Sequence, residues 1–210
     1  MFFLIAEVVP YLSKDNISQY ESMLSKLLPT IERSLASPYE QLRRNSSYCL
    51  GMVAFHFKDA IKGEFGTFVE WLSPLCDREN EEIGMSTGAD IDNGLGALAR
   101  ILMADHNSKN PSLPLNEVLP ILLSGLPIES DPEEVETVNT CLCQLLAERE
   151  DEVSEFREPI ILSIATVFTG DSLSNETTQE TAHATLCEVC SQEEMSDICN
   201  QLELPEELFS

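Results

Sequence analysis

The soft metal ligands of this chain come closest together at His183-x-x-x-Cys187-x-x-Cys190. On a helix, positions i, i+4 and i+7 share one face, so an imidazole and two thiols there approach a tetrahedral zinc site. A fourth ligand at matching spacing is not evident. Cys187 and Cys190 also occupy columns that hold Gln144 and Ala147 elsewhere in the chain, and small buried thiols account for them. Cys141-x-Cys143 sends its two thiols to different sides of a helix. His56, in Phe55-His56-Phe57, reads as packed against an apolar face, and His106 stands among polar loop residues. No serine sits in the glycine-flanked turn of a nucleophile elbow. Gly94-Leu95-Gly96 and Gly84 to Gly88 lack the preceding strand and the lysine of a phosphate loop. Trp71, beside Phe65, Phe68 and Leu72, reads as core. Asn45-Ser46-Ser47 and Asn175-Glu176-Thr177 match the glycosylation pattern, but nothing else indicates secretion. The expectation is a non-enzyme with no catalytic residue, no metal site and no cofactor.

Charge is the one feature left that points to a partner. Twelve Lys and Arg stand against 37 Asp and Glu, a formal net charge of −25. A field of that sign repels nucleic acid and anionic membranes and attracts basic proteins. The acids cluster at Asp77 to Glu82, at Asp90 and Asp92, at Glu129 to Glu136 and at Glu148 to Glu152. Seven cysteines, scattered through apolar segments, suit a reducing compartment better than a disulfide framework. Met1 to Leu12 is apolar, but it contains Glu7 and Pro10 and has neither a basic flank nor a cleavage signature. No stretch reaches the roughly 18–20 apolar residues that span a bilayer. The expected setting is intracellular. A chain opening in mid-pattern with Phe2-Phe3-Leu4-Ile5-Ala6 is expected to be part of something longer.

The elements that must present these charges are helices. Val135, Val138, Leu142, Leu145 and Leu146 fall at i, i+3, i+7, i+10 and i+11, one helix face, and alternating strand patterns are absent. The helices repeat. Leu28-Pro29, Pro74-Leu75, Pro120-Ile121 and Pro159-Ile160 place a proline beside a large apolar residue at separations of 45, 46 and 39 residues. Each is followed by a second helix ending in a small residue: Ala54, Ala99, Ala147 and Cys190, spaced by 45, 48 and 43. A period of about 40–48 residues is that of two-helix HEAT units. One such hairpin cannot bury its apolar face, so hairpins stack and share a continuous core. The expected fold is an all-α HEAT-repeat α-solenoid in one array over residues 1–210. Four hairpins are expected over 17–58, 60–105, 115–149 and 154–191. Residues 2–13 would be the remnant of a preceding repeat, and 196–210 a short C-terminal cap.

The second helices Arg43-Arg44-Asn45-Ser46-Ser47-Tyr48-Cys49-Leu50-Gly51-Met52-Val53-Ala54 and Asp92-Asn93-Gly94-Leu95-Gly96-Ala97-Leu98-Ala99-Arg100 resemble those of the karyopherin-β (importin-β) family. The likeness is closest to C-terminal repeats of the importin-4 type. The turn Leu126-Pro127-Ile128-Glu129-Ser130-Asp131-Pro132-Glu133-Glu134 is similar to that family's as well. The likeness covers about residues 1–165. The stretch Glu79 to Ala89 departs from the pattern, with Gly, Met and Ser in place of a shorter turn.

The resemblance implies nuclear import of basic cargo such as histones and ribosomal proteins, with residence in cytoplasm and nucleus. It also implies cargo release by the small GTPase Ran through N-terminal repeats that are missing from this chain. Cargo would lie along the second-helix surface, with Asp90, Asp92, Asn93, Glu133, Glu136 and Thr140 as the expected contacts. On the third second helix, Val135, Val138, Leu142 and Leu146 take the buried side and leave Glu133, Glu136, Thr137 and Thr140 facing out. The competing expectation is a HEAT scaffold or regulatory subunit of a different complex, built to hold a rigid folded surface.

Overall fold

The computed structural model describes residues 1–12, 17–78, 80, 86–108 and 110–209. They are all-α, with no strand among them, and the helices pair as stacked hairpins of the HEAT-repeat α-solenoid class. The chain divides into two compact units, Met1–Gly125 and Leu126–Ser210.

The first unit contains α1 (Phe2–Val8), α2 (Ile17–Leu35), α3 (Glu40–His56), the short α4 (Lys58–Ile61), α5 (Phe65–Cys76), α6 (Ala89–His106) and α7 (Leu115–Ser124). The helices α2 and α3 form one hairpin and α5 and α6 the next, while α7 packs on α5 and α6. Pro29, Pro74 and Pro120 lie inside α2, α5 and α7, the first-helix positions that the repeat spacing predicts. The most extensive packing joins the two second helices, α3 and α6. Small residues permit it. A Cβ built on Gly51 would stand 2.9 Å from the Ala97 Cα and 3.1 Å from the Arg100 Cδ, so only glycine lets the two backbones approach this closely. The helix α6 is buried on every side, from Asp90 to Asp105.

The second unit contains α8 (Pro132–Glu148), α9 (Arg157–Ala165), α10 (Glu176–Val189) and α11 (Gln192–Leu202). Here α8 packs on α9 and α10, and α11 packs on α9. Three apolar positions on the helical face expected for α8 are deeply buried, with Val138 3%, Leu142 1% and Leu146 0% exposed. Pro159 differs from the other three repeat prolines. It stands in the first turn of α9, where its missing N–H had no intrahelical acceptor.

The end of the chain also differs from the short cap expected from residue 196 onward. An eleven-residue helix begins at Gln192, started by a capping box. The Ser191 side chain accepts from the Glu194 amide, and the Glu194 carboxylate accepts from the Ser191 amide at 2.7 Å. Beyond it, Phe209 meets Phe168 edge-on, with ring centroids 5.5 Å apart.

Candidate partner-binding surface

Three of the expected contacts lie on α6. The side chains of Asp90 and Asp92 are fully buried, and both carboxylates are engaged within the first unit. Arg43, itself 1% exposed, donates through Nε to Asp90 Oδ2 at 2.6 Å, and its Nη1 donates to the Ser37 carbonyl at 2.8 Å. The Ser86 hydroxyl also donates to Asp90. Arg78 donates through Nη2 to Asp92 at 2.9 Å and through Nε to the Gly125 carbonyl at 2.7 Å. Asn93 is 4% exposed and donates back to the Ala89 carbonyl at 2.9 Å. A buried charge is tolerated when it is paired and its remaining hydrogen-bonding positions are filled. Asp90 and Asp92 therefore link α6 to α3 and to the loops beside them, while the Asn93 bond lies within α6. The departure at Glu79 to Ala89 falls largely on residues 79 and 81–85, outside those described.

The other three expected contacts lie on α8 and face outward. Glu133 and Glu136 are exposed and Thr140 is half-buried. Asp131 caps the helix by accepting from the Glu133 amide at 3.3 Å. Glu136 accepts from Asn175 at 3.1 Å, which ties the start of α10 to the exposed face of α8.

A stronger signal was present in the sequence but needed the boundary between units to be read. The first unit carries ten Lys and Arg against 16 Asp and Glu. The second carries two arginines and no lysine against 21 Asp and Glu, a formal net charge of −19 in 85 residues. Both arginines are engaged with carboxylates: Arg149 with Glu152, and Arg157 with Glu150 at 2.6 Å and Glu194 at 3.1 Å. Of the 19 of these acids whose burial is described, 16 are exposed. The second unit is thus a concentrated negative surface of the kind that steers basic partners.

The residues with chemical potential take up structural positions. His183 donates through Nε2 to the Leu208 carbonyl at 3.0 Å and stacks on Phe209. Cys187 was expected to be buried in the small-residue column, but it is exposed. The buried face of α10 runs through Thr178, Ala182 and Leu186, and Cys187, one residue further, turns away from it. Cys190 ends α10 half-buried, and burial pushes its thiol up to about 11. Burial likewise raises Cys49 to about 12 and Cys143 to about 11, and it also raises Cys76 and Cys141. None of these five thiols is poised as a thiolate near neutral pH. Among the described residues, no group of three or more His, Cys, Asp or Glu is placed to hold a metal ion. No helix among them is long and apolar enough to cross a membrane. Trp71 is half-buried, with its ring 5.4 Å from that of Phe68.

Stacked helical hairpins whose described polar groups largely serve packing or face outward are consistent with a non-enzymatic HEAT-repeat scaffold, and the comparisons with known proteins point the same way. The chain is 30% identical to importin-4 of Homo sapiens over 149 residues, 71% of this chain and 13% of that protein. It is 31% identical to importin-4 of Mus musculus over 115 residues, 55% of this chain and 10% of that protein. It is 22% identical to the probable importin subunit beta-4 of Schizosaccharomyces pombe over 142 residues, 67% of this chain and 12% of that protein. The chain therefore spans about an eighth or less of the length of each of these relatives. No protein-family model matches it. These similarities are a distant homology that connects the chain to the HEAT-repeat transport receptors of the importin-β/karyopherin superfamily.

Proposed function

We propose that this chain is a cargo-binding part of a nuclear import receptor of the importin-4 type, without enzymatic activity. It would work between cytoplasm and nucleus and recognise basic proteins such as histones or ribosomal proteins, with Ran in its GTP form as the release signal of the whole receptor. In this proposal residues 1–210 act as one HEAT array. Glu133, Glu136 and Thr140 contact the cargo, while Asp90, Asp92 and Asn93 hold α6 in place. The observation that carries it is the −19 charge of residues 126–210, taken together with the importin similarity. Lysines and arginines of an extended tail would pair with the α8 carboxylates, and Thr140 would hydrogen-bond its backbone.

The test is fluorescence anisotropy of a labelled histone-tail peptide titrated with the full chain. Exposed ion pairs contribute about 0–1 kcal/mol each, so one substitution does little. Reversing two charges together, as Glu133→Lys with Glu136→Lys, is expected to weaken binding roughly five- to tenfold, and added salt should weaken it further by screening. The charge-matched pair Asp151→Lys with Glu155→Lys, both exposed in the turn before α9, should cost clearly less. Equal losses at both places would mean that only net charge is sensed. No binding of the basic tail, with capture of a single folded protein in fixed ratio, would favour a scaffold of another complex.

A further inference from the structure

The first unit holds a cleft that the α8 contacts leave unused. It encloses about 450 Å³ between α2, the turn at Ala36–Pro38 and α5. Trp71, Pro38 and Pro74 supply apolar sides, while Glu32 from α2 and Glu70 from α5 supply carboxylates. Trp71 is half-buried and the other four are exposed, so all of them reach water. The frame is fixed from within. Arg43, the one cation among the described lining residues, is spent on Asp90 and on the Ser37 carbonyl, so this buried ion pair also pins the turn. Asn80 donates to the Pro74 carbonyl at 2.9 Å. Among the described residues neither Glu32 nor Glu70 has an ion-pair partner, and Arg33, beside Glu32 on α2, turns back to the Pro29 carbonyl at 3.2 Å.

An indole and two unpaired carboxylates in one cleft favour a ligand that serves both. An anion is repelled by the acids and finds no free cation. An apolar side chain gains the ring and the prolines but nothing from the carboxylates. An ammonium is a compact, strongly hydrated charge that pairs with an acid but offers no flat face to the ring. A guanidinium is planar and weakly hydrated, so its face stacks on an indole while its edge N–H groups donate to carboxylates. We propose that this cleft binds an arginine side chain of a basic protein, with the guanidinium stacked on Trp71 and paired with Glu32 and Glu70. The volume lies in the range of ligand clefts and takes the side chain together with its flanking backbone. This inference rests on the proposed function for its partner, a basic protein. It adds a site in the first unit that reads the identity of a side chain, a task that long-range charge performs poorly.

Trp71 is the only tryptophan of the chain, so its emission reports occupancy of the cleft. The test titrates the full chain with three pentapeptides, Lys-Ala-X-Ala-Lys, in which X is arginine, citrulline or norleucine. Citrulline keeps the shape of arginine without its charge, and norleucine is apolar. The arginine peptide is expected to shift the Trp71 emission saturably and to bind about tenfold tighter than the citrulline peptide. Glu32→Gln with Glu70→Gln changes two exposed positions and keeps the fluorophore. It should lower the preference to about threefold or less, the part that the indole supplies. Trp71→Leu, followed by anisotropy of labelled peptides, should weaken the arginine peptide about threefold and the citrulline peptide less. Unchanged thermal unfolding by circular dichroism will establish that the variants remain folded.

Histone-tail binding that leaves the Trp71 emission unmoved overturns the cleft, and the functional proposal then stands on the α8 carboxylates. Equal binding of the arginine and citrulline peptides overturns it as well, as does a preference that the double glutamine variant leaves intact. A norleucine peptide that binds as tightly as the arginine peptide would assign the cleft to apolar side chains and overturn the proposal as stated. Failure of histone tails, with a Trp71 response to the arginine peptide preserved, would sink the functional proposal alone. If neither binds, both proposals fall.

Discussion

Residues 1–125 and 126–210 are built from the same kind of hairpin but differ in what their buried carboxylates do and in the excess of those left exposed. In the first unit, Asp90, Asp92 and Asp105 turn inward while most of the other described carboxylates stay exposed. Asp90 and Asp92 pair with Arg43 and Arg78, and Asp105 accepts from the Ser112 and Leu113 amides at 2.9–3.0 Å, so that charge fixes how helices and loops meet. In the second unit, 16 of the 19 acids whose burial is described are exposed, only Asp131 and Glu134 are buried, and the core of α8, α9 and α10 is largely apolar. The difference shows two uses of one residue type. Buried and paired, an acid specifies a packing arrangement; exposed in excess, it forms a field that acts on other molecules.

The largest expected effect tests the inward half of this contrast. Asp90→Ala removes the carboxylate that the buried Arg43 Nε donates to, and removal of one member of such a pair costs about 3–5 kcal/mol. Urea unfolding of the full chain should detect that loss. A loss below about 1 kcal/mol would mean that Arg43 finds water and that the pair does not specify the α3–α6 packing. Gly51→Ala at the same interface is next. Its Cβ would meet the Ala97 backbone at 2.9 Å, and overpacking of this kind costs about 1–3 kcal/mol in the same assay.

The outward half predicts smaller numbers. Glu152→Gln breaks an ion pair whose carboxylate is 55% exposed, and it should change stability by no more than about 1 kcal/mol. A cost comparable to that of Asp90→Ala would erase the distinction between the units. The smallest effect depends on pH. Glu194 is held below its ordinary value of 4.5, first by the Ser191 amide and then by Arg157. Because the folded pKa is lowered, its contribution is present above 4.5 and disappears as pH falls through the folded value. Glu194→Gln should therefore be less stable than the parent near neutral pH, by under about 1 kcal/mol for so exposed a group. The two should converge in acid. A constant gap between the melting temperatures across pH 3–7 would show that capping geometry, not ionisation, is what Glu194 supplies.

The helical pattern, the pairing of helices and the outward placement of Glu133 and Glu136 were legible because they follow from local periodicity. Val138 and Leu142 fall four residues apart, and that spacing alone puts them on one face of α8. The helix α11 was equally legible in Ser191-x-x-Glu194, a local signal that the expectation of a short tail passed over. The fates of Asp90 and Asp92 were not legible. Their acidity and their place at the start of a second helix suggested an exposed face, while Arg43, the partner of Asp90, lies 47 residues away. Cys187 was misplaced for a related reason. A repeat column predicts which positions correspond, but the neighbours packed against α10 decide which of them is covered.

What the sequence determined by itself, then, is what neighbouring residues decide together: helix periodicity, the caps and the sum of the charges. Each is set by interactions within a few residues or by composition, and it survives whatever the rest of the chain does. Only the tertiary structure decided which acids are buried in ion pairs and which remain to meet a partner, and that Glu32 of α2 and Trp71 of α5 line one cleft. A carboxylate carries the same charge in either role. Desolvation and the distance to the nearest guanidinium separate the two, and both exist only once segments far apart in sequence have been brought together.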